Sequence, residues 1–431
     1  MARRFLKKPA VRLKRTKVRP AVSVQTLKTW EIATVTRVLE GIRVLDFGRV
    51  IASAYCGTLL ADMGADVIKV ERPGGEFDRK LGPFTPSGKA IVYELITPRN
   101  KKSITLNTRH PKGQEILDEL IEDTSIIITG FTRKGNQLMG LDYERLKQIN
   151  PGIILVAISG YGQTGPGADR PSFDAIAQAE SGAMSYTGFP GSPPTRAAVP
   201  FVDFSTATMG AYGAMLALLH KERTGKGQLV DVSLLDTAFT FVAGMGVVAE
   251  YTLLNQIRPQ VGNHSFHNYS DGFEAKDGWV MISVIGNEIW QRFIGAIGRA
   301  DLLEDDRFSD DQSRYQNRDL IRPIVNKWVG KHTVSEVVRL LEQKRVPCGR
   351  VNTVRELVND PHLIAREMLI KRQYPGVGEV PVPGIPVKLS RTPGKIETDA
   401  CRLGEHNQEI YCQLLSYTQE DLESLRLEGV I

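Results

Sequence analysis

Cysteine is scarce in this 431-residue chain: there are four, Cys56, Cys348, Cys401 and Cys412, and none forms a CxxC pair. Neither a disulfide framework nor a structural zinc site is therefore expected, and the thiols fit a reducing compartment, read here as the cytoplasm. Histidine is scarce too, with seven. No GxGxxG follows the first predicted strand, and GxxxxGK[ST], HExxH and GxSxG are missing, so no familiar nucleotide, zinc-protease or serine-hydrolase signature is present. No apolar run approaches the roughly 18 residues of a membrane span, so no membrane partner is expected. The N-terminus lacks the apolar core of a secretory signal.

Hydrophobic residues make up 42% and charged residues 24%, which points to a packed globular protein rather than a disordered one. The formal charge of +6 is unevenly placed. Residues 1–30 hold ten Lys or Arg and no acid, and the remaining 401 residues carry a net charge of −4. The basic start resembles an organelle transit peptide, which would put the protein in the mitochondrial matrix; a basic arm or an upstream start codon are the alternatives. An acidic body gives no reason to expect nucleic acid as a partner.

The body opens with alternating short apolar runs and helical patterns. "GIRVLDFG" (41–48), "ADVIKVE" (65–71), "SITLN" (103–107), "SIIITGF" (125–131) and "GIILVAISGYG" (152–162) read as buried strands. The stretches 53–64, 110–124 and 142–150 between them read as helices. This alternation predicts an α/β fold, a doubly wound and mostly parallel sheet. Long helices rich in small residues follow at 205–225 and 233–254. A hairpin turning at Asp277-Gly278 opens a second, α+β unit. A Pro-punctuated extended piece (378–390) and a C-terminal helix close the chain.

Basic residues gather in four connections: Arg72, Arg79 and Lys80; "RNKKS" (99–103); Arg109; and Arg133 with Lys134. Loops beyond the carboxyl ends of parallel strands face the ligand, so these loops suggest a polyanion such as a nucleotide. Asp174 follows a Gly/Pro loop and opens an Ala-rich helix. It reads either as that helix's N-cap or as a carboxylate nucleophile beside a glycine loop.

The segments "GIRVLDFGRVIASAYCGTLLADMGADVIKVERPGG", "NKKSITLN", "SGYGQTGPGADRPSFDAIAQAESG", "DFSTATMGAYGAMLALL" and "VPCGRVNTVRELVNDP" occur in the order found in family III CoA-transferases. Residues 41–410 resemble that family, which also includes 2-methylacyl-CoA racemase. The resemblance implies that Asp174 is the catalytic aspartate. It implies that Arg49, Val50, Ile51 and Ala52 lie along the CoA pantetheine and diphosphate, that Arg72 contacts the nucleotide, and that Leu106 and Arg109 flank the adenine. Gly160, Tyr161 and Gly162 would form the loop beside the thioester and supply its oxyanion donors. The implied fold is a Rossmann-like large domain plus a smaller α+β domain, in a homodimer of interlocked rings. Its divisions here would be a basic extension (1–37), the large CoA-binding domain (38–225), a helical linker (226–270), the small domain (271–350), and a return linker with the rest of the large domain (351–431). CoA and acyl-CoA would be substrates; no permanently bound cofactor and no metal are implied.

The sequence departs from the family pattern after the fourth strand. The usual Asn is Gly130 and the usual Arg is Leu138. Arg133 and Lys134 are the candidates to restore the lost charge. The implied chemistry moves CoA from an acyl-CoA to a free carboxylic acid through an aspartyl anhydride. Arg196, His264 and His267 are candidates to meet the second carboxylate of a dicarboxylate, beside ordinary structural roles. A racemase would need a second base, which the family's racemases supply as a histidine. Phe173 stands at that place here, and no histidine lies between His110 and His220. A non-catalytic CoA-binding protein is the remaining alternative.

Overall fold

The computed structural model describes residues 37–91, 93, 97–374 and 378–431. The basic arm falls outside the described residues. Six strands form one sheet: β1 (Arg43–Phe47), β2 (Asp66–Glu71), β3 (Lys101–Thr105), β4 (Ile126–Thr129), β5 (Ile154–Ser159) and β6 (Leu229–Ser233). Their order is β3-β2-β1-β4-β5-β6, and every neighbouring pair is parallel. The central strands are buried nearly end to end, as in "IIIT" of β4 and "ILVAIS" of β5. Continuous apolar runs suit strands covered on both faces. The order reverses beside β1, and a crevice opens there at the carboxyl ends of β1 and β4.

Helix α1 (Ala52–Asp62) leaves β1 through a tight turn, and α2 (Pro111–Glu122) covers the opposite face. Ile116, Leu117, Leu120 and Ile121 of α2 share a core with Leu45, Ile68 and Ile104. Tyr411, Leu422, Leu425 and Val430, from the other end of the chain, belong to the same core. The short helices α3 (Arg133–Leu138), α4 (Tyr143–Ile149) and α5 (Asp174–Glu180) lie in the connections that follow.

Helix α6 (Phe201–Thr224) packs on α1 and across β5 and β6. Ala207, Gly210, Ala214 and Ala217 are its buried face. The fit is close: a Cβ on Gly210 would lie 2.7 Å from Ile158 Cδ1 and 3.2 Å from Cys56 Sγ. Among the described residues α6 is long and apolar enough to cross a membrane, which the scan for apolar runs missed; its small-residue face is occupied by α1 and the sheet. Helices α7 (Leu234–Gly244) and α8 (Val247–Leu254) replace the single helix expected over 233–254. Gly246, at φ +80°, breaks them apart.

Two other expectations shift. The sheet continues past residue 225, because β6 is its sixth strand, so 226–270 is not wholly a helical linker. Strand β3 begins two residues early, at Lys101, whose charge is buried rather than solvated.

A separate three-stranded antiparallel sheet joins β7 (Tyr269–Ala275), β8 (Gly278–Val284) and β9 (Cys348–Arg350). Ala275 faces Gly278, so the hairpin turns at Lys276-Asp277, one residue before the expected place. Helices α9 (Asn287–Ile297), α10 (Arg318–Val329) and α11 (Val334–Gln343) cover this sheet around Tyr269, Phe273, Trp290 and Phe293. A last hairpin, β10 (Leu369–Tyr374) with β11 (Gly378–Pro383), precedes helix α12 (Gln419–Leu427).

Candidate active site

The turn between β1 and α1 rests on buried charge. Asp46 accepts the Gly48 N–H at 2.7 Å and the Lys101 ammonium at 2.7 Å. Lys101 also donates to the Ala54 carbonyl at 2.6 Å, and Lys69 to the Gly48 carbonyl at 2.8 Å. Burial pulls the Lys101 pKa down. Burial acts on Lys69 in the same sense, but Asp46, Asp78 and Glu71 together reverse it, so its pKa is raised. Two cations therefore frame one carboxylate beneath the turn, and removing a single member would leave uncompensated charge in the core.

Above this base the chain is strained. Val50 has φ +57°, a costly conformation for a β-branched residue, by about 1–3 kcal/mol. The strain is held by bonds on both sides. The Val50 N–H donates to Asp78 Oδ2 at 3.1 Å and the Arg49 N–H to Ser53 Oγ at 3.0 Å. The Arg49 guanidinium pairs with Glu76 at 3.0 Å and lies 4.6 Å over the Phe131 ring. Gly130 has a local reason: a Cβ there would sit 2.4 Å from the same Ser53 hydroxyl.

Arg49 and Phe131 stand between two cavities and line both. The first, of about 340 Å³, is bounded by Val50, Ile51, Ala52, Gly160, Phe173 and Asp203. The second, of about 390 Å³, is bounded by Arg72, Leu106, Asn107, Arg109 and Met139. The structure thus brings Arg49, Val50, Ile51, Ala52 and Gly160 together at one cavity, and Arg72, Leu106 and Arg109 at the other. Arg72 and Arg109 are exposed there, and Leu106 is a buried wall.

Asp174 is the first residue of α5, and the cap position belongs to Phe173. Its carboxylate does not cap its own helix. It reaches across to α6, where Oδ2 accepts the N–H groups of Val202 at 2.9 Å and Asp203 at 3.2 Å. Helix α6 has Pro200 at its cap and no capping side chain of its own, so Asp174 meets its unsatisfied first turn. Oδ1 accepts from the Gln178 amide, whose own oxygen is fixed by the Ala197 N–H at 2.9 Å. Asp174 is 5% exposed and sits just behind the wall of the first cavity that Phe173 and Asp203 form.

Asp203 faces that cavity. Burial, then the charge of Asp174 beside it, pushes its pKa up to about 7. Sequence reasoning passed over Asp203, as it did Glu76, Asp78 and Phe131. These residues stand in ordinary contexts, and only the fold brings them to the turn.

Other candidates fall elsewhere. Arg133 pairs with Asp169 at 2.8 Å, and the same carboxylate accepts the Lys134 N–H at 2.9 Å; neither residue lines the two cavities. Arg79 grips Glu71, and Arg99 grips Asp62 in the core. The "RNKKS" segment leads into β3 rather than out of it: Arg99 and Lys101 are buried, and Lys102 pairs with Asp66 and Glu409 nearer the surface. In the glycine loop, the Gly162 N–H already donates to Ser159 Oγ and the Gln163 N–H to Asp231. Arg170 lies 4.4 Å over the Tyr161 ring and reaches the mouth of the first cavity. Arg196 and, among the described residues, every histidine are absent from both cavity walls. His264 faces Asp271 at 3.6 Å, and His406 accepts the Ser103 N–H.

Comparison with known proteins gives a consistent result. A family model described as CoA-transferase family III matches residues 39–407. The chain is 36% identical over 399 residues to succinyl-CoA–D-citramalate CoA-transferase of Chloroflexus aurantiacus, covering 92% of this chain and 98% of that protein. It is 32% identical over 383 residues to succinate–glutarate CoA-transferase of Agrobacterium fabrum, covering 87% and 95%. A solved CAIB/BAIF family protein from Brucella suis aligns with a TM-score of 0.77 at 30% identity, over 88% of this chain and all of that one.

Proposed function

The chain belongs to CoA-transferase family III, and from that premise we propose that it moves CoA between a short dicarboxylic acyl-CoA and a free dicarboxylate through Asp174. The observation that carries the reading is the placement of Asp174. Its carboxylate is oriented by two backbone donors at the start of α6 and by the Gln178 amide of α5, beside a cavity that adjoins a second one with two exposed arginines.

CoA phosphates would lie with Arg72 and Arg109 in the second cavity, and the acyl group in the first. An Asp174 oxygen attacks the thioester carbonyl carbon; the C–S bond breaks and the thiolate leaves with its electron pair. A thiol of pKa near 8.5 is a good leaving group. The thiolate then attacks the Asp174 carbonyl of the mixed anhydride, which releases the donor acid and leaves an aspartyl thioester. The acceptor carboxylate attacks that thioester, and the freed thiolate takes the new acyl group. Asp174 returns as a carboxylate, and no proton is gained or lost overall. Arg49 and Arg170 at the first cavity suit a second carboxylate on the substrate. The relatives named for D-citramalate and glutarate support this substrate class.

We further propose an interlocked homodimer, with a large domain built from both chain ends. Tyr212, Leu216 and Leu219 of α6 and Phe239, Val248, Tyr251 and Leu254 of α7 and α8 are exposed, an apolar face suited to a second copy. The few cysteines support a cytoplasmic location.

The test is direct. Succinyl-CoA mixed with a panel of mono- and dicarboxylates should yield the new acyl-CoA by mass spectrometry, fastest with dicarboxylates. Failure with every acceptor would overturn the reading. A chiral 2-methylacyl-CoA in deuterated water should gain no α-deuterium.

A further inference from the structure

Two carboxylates meet at the start of α6, and their surroundings differ. Asp174 accepts from three donors and stands behind the cavity wall that Phe173 and Asp203 form. Asp203 gives its backbone N–H to Asp174, while its side chain faces the first cavity beside Gly160 and Ser172. The groups around Asp203 can be named element by element. Helix α5 places Asp174 beside it; the β1–α1 turn brings Arg49, paired with Glu76, and the loop before α5 brings Arg170, paired with Glu180, to the cavity wall. Helix α1 presents Ala52 and Ser53, and α7 presents Leu234, which are uncharged. Among the described residues no cation is bonded to Asp203, and the charge that acts on it is the negative one of Asp174.

We propose that Asp203 is a catalytic residue in its protonated form, donating a hydrogen bond to the oxygen of the acyl group while that group is bonded to Asp174. The proposal rests on the reading of Asp174 as nucleophile. Asp174 Oδ2 lies 3.2 Å from the Asp203 backbone nitrogen and Asp203 lines the first cavity, so an acyl group that reaches Oδ2 from that cavity passes Asp203. A neutral carboxylic acid there stabilises the developing oxyanion, as a donor aimed at new charge should. An ionised one does the reverse. It places a negative charge on the path of an incoming carboxylate, which is itself an anion.

The sign of the pH dependence follows. Asp203 is protonated below about pH 7 and ionised above it. Transfer should therefore fall as the pH rises through 7, with the acceptor KM rising more than the acyl-CoA KM. Asp203→Asn keeps a donor and cannot ionise. It should lower kcat/KM at pH 6 by less than about tenfold and abolish the alkaline fall. Asp203→Ala, with no donor, should lose about 10²–10³ in kcat at every pH. A readout without turnover is stability. A carboxyl whose pKa is raised on folding costs the native state stability as the pH climbs from its unfolded value of about 4 to its folded value of about 7, because the unfolded chain ionises first. The melting temperature of the wild type should thus drop between about pH 4 and 7 more than that of Asp203→Asn, and level off above.

An Asp203→Asn profile superimposable on the wild type, or a folded but inactive Asp203→Asn, would overturn the proposal. So would full activity in Asp203→Ala. If the asparagine variant does not fold, a wild-type acceptor KM constant from pH 6 to 8 overturns it alone. A wild type that transfers no CoA to any acceptor at any pH identifies instead a failure of the CoA-transfer reading.

Discussion

On the proposed reading Asp174 combines two demands in one side chain: nucleophile, and cap for the first turn of α6. Asp174→Ala should therefore lower transfer at least about a thousandfold and destabilise the fold by about 1 kcal/mol. Kinetics with a purified donor and a urea titration would read the two effects separately; near wild-type turnover would refute the assignment. On the same reading Arg72 and Arg109, both exposed at the second cavity, hold the CoA phosphates by charge. Replacing either by Ala should raise the acyl-CoA KM about three- to tenfold with little change in kcat, and the effect should shrink in high salt. An unchanged KM would place the CoA phosphates elsewhere. The family resemblance picks out Asp174, Arg72 and Arg109 from the sequence, and the fold sets the two arginines at one cavity and Asp174 behind the other. The resemblance does not pick out Glu76, Asp78 or Asp203. Each is an unremarkable acid until the folding of β1, α5 and α6 brings it to the site. Arg133 and Lys134 stand in a suggestive loop away from both cavity walls, where Asp169 takes the Arg133 guanidinium and the Lys134 backbone N–H.

At the level of elements, periodicity recovered most of the parallel sheet, because its strands are continuous apolar runs. It missed β6, whose residues alternate in burial at the sheet's edge, and the first two residues of β3. Lys101 looks like a solvated lysine, and only its partner Asp46, 55 positions earlier, explains it. The small residues of α6 carried a readable message: two backbones approach closely. Gly210→Val should destabilise the protein by about 1–3 kcal/mol by pushing α6 off Ile158 and Cys56. A denaturation midpoint equal to the wild type would show that α6 can shift freely. Since Asp174 holds the start of this helix, the same substitution should also reduce turnover.

The whole molecule leaves a broad apolar surface along α6, α7 and α8. A threaded pair of chains has no separate folded monomer, so folding should depend on protein concentration. Replacing Tyr212 and Leu216 together by Glu should lower the yield of folded protein and shift sedimentation away from a dimer. A fully active, monodisperse monomer from that variant would defeat the interlocked assembly. The apolar character of this face is visible in the sequence, yet its exposure is not. Helical spacing marks Tyr212 and Leu216 as readily for a core as for a surface.

The contact between Arg49 and Phe131 has a use in chemical biology. One stacked pair divides two chambers of similar size, one edged with arginine and one closing on an acidic pair. Small fragments selected separately for each chamber need only a short tether past that pair. Once the first fragment is seated, the second is confined at a high local concentration, so the joined compound can exceed either part by about 10²–10⁴ in affinity. The partition between the two chambers would then become the design element for a selective inhibitor.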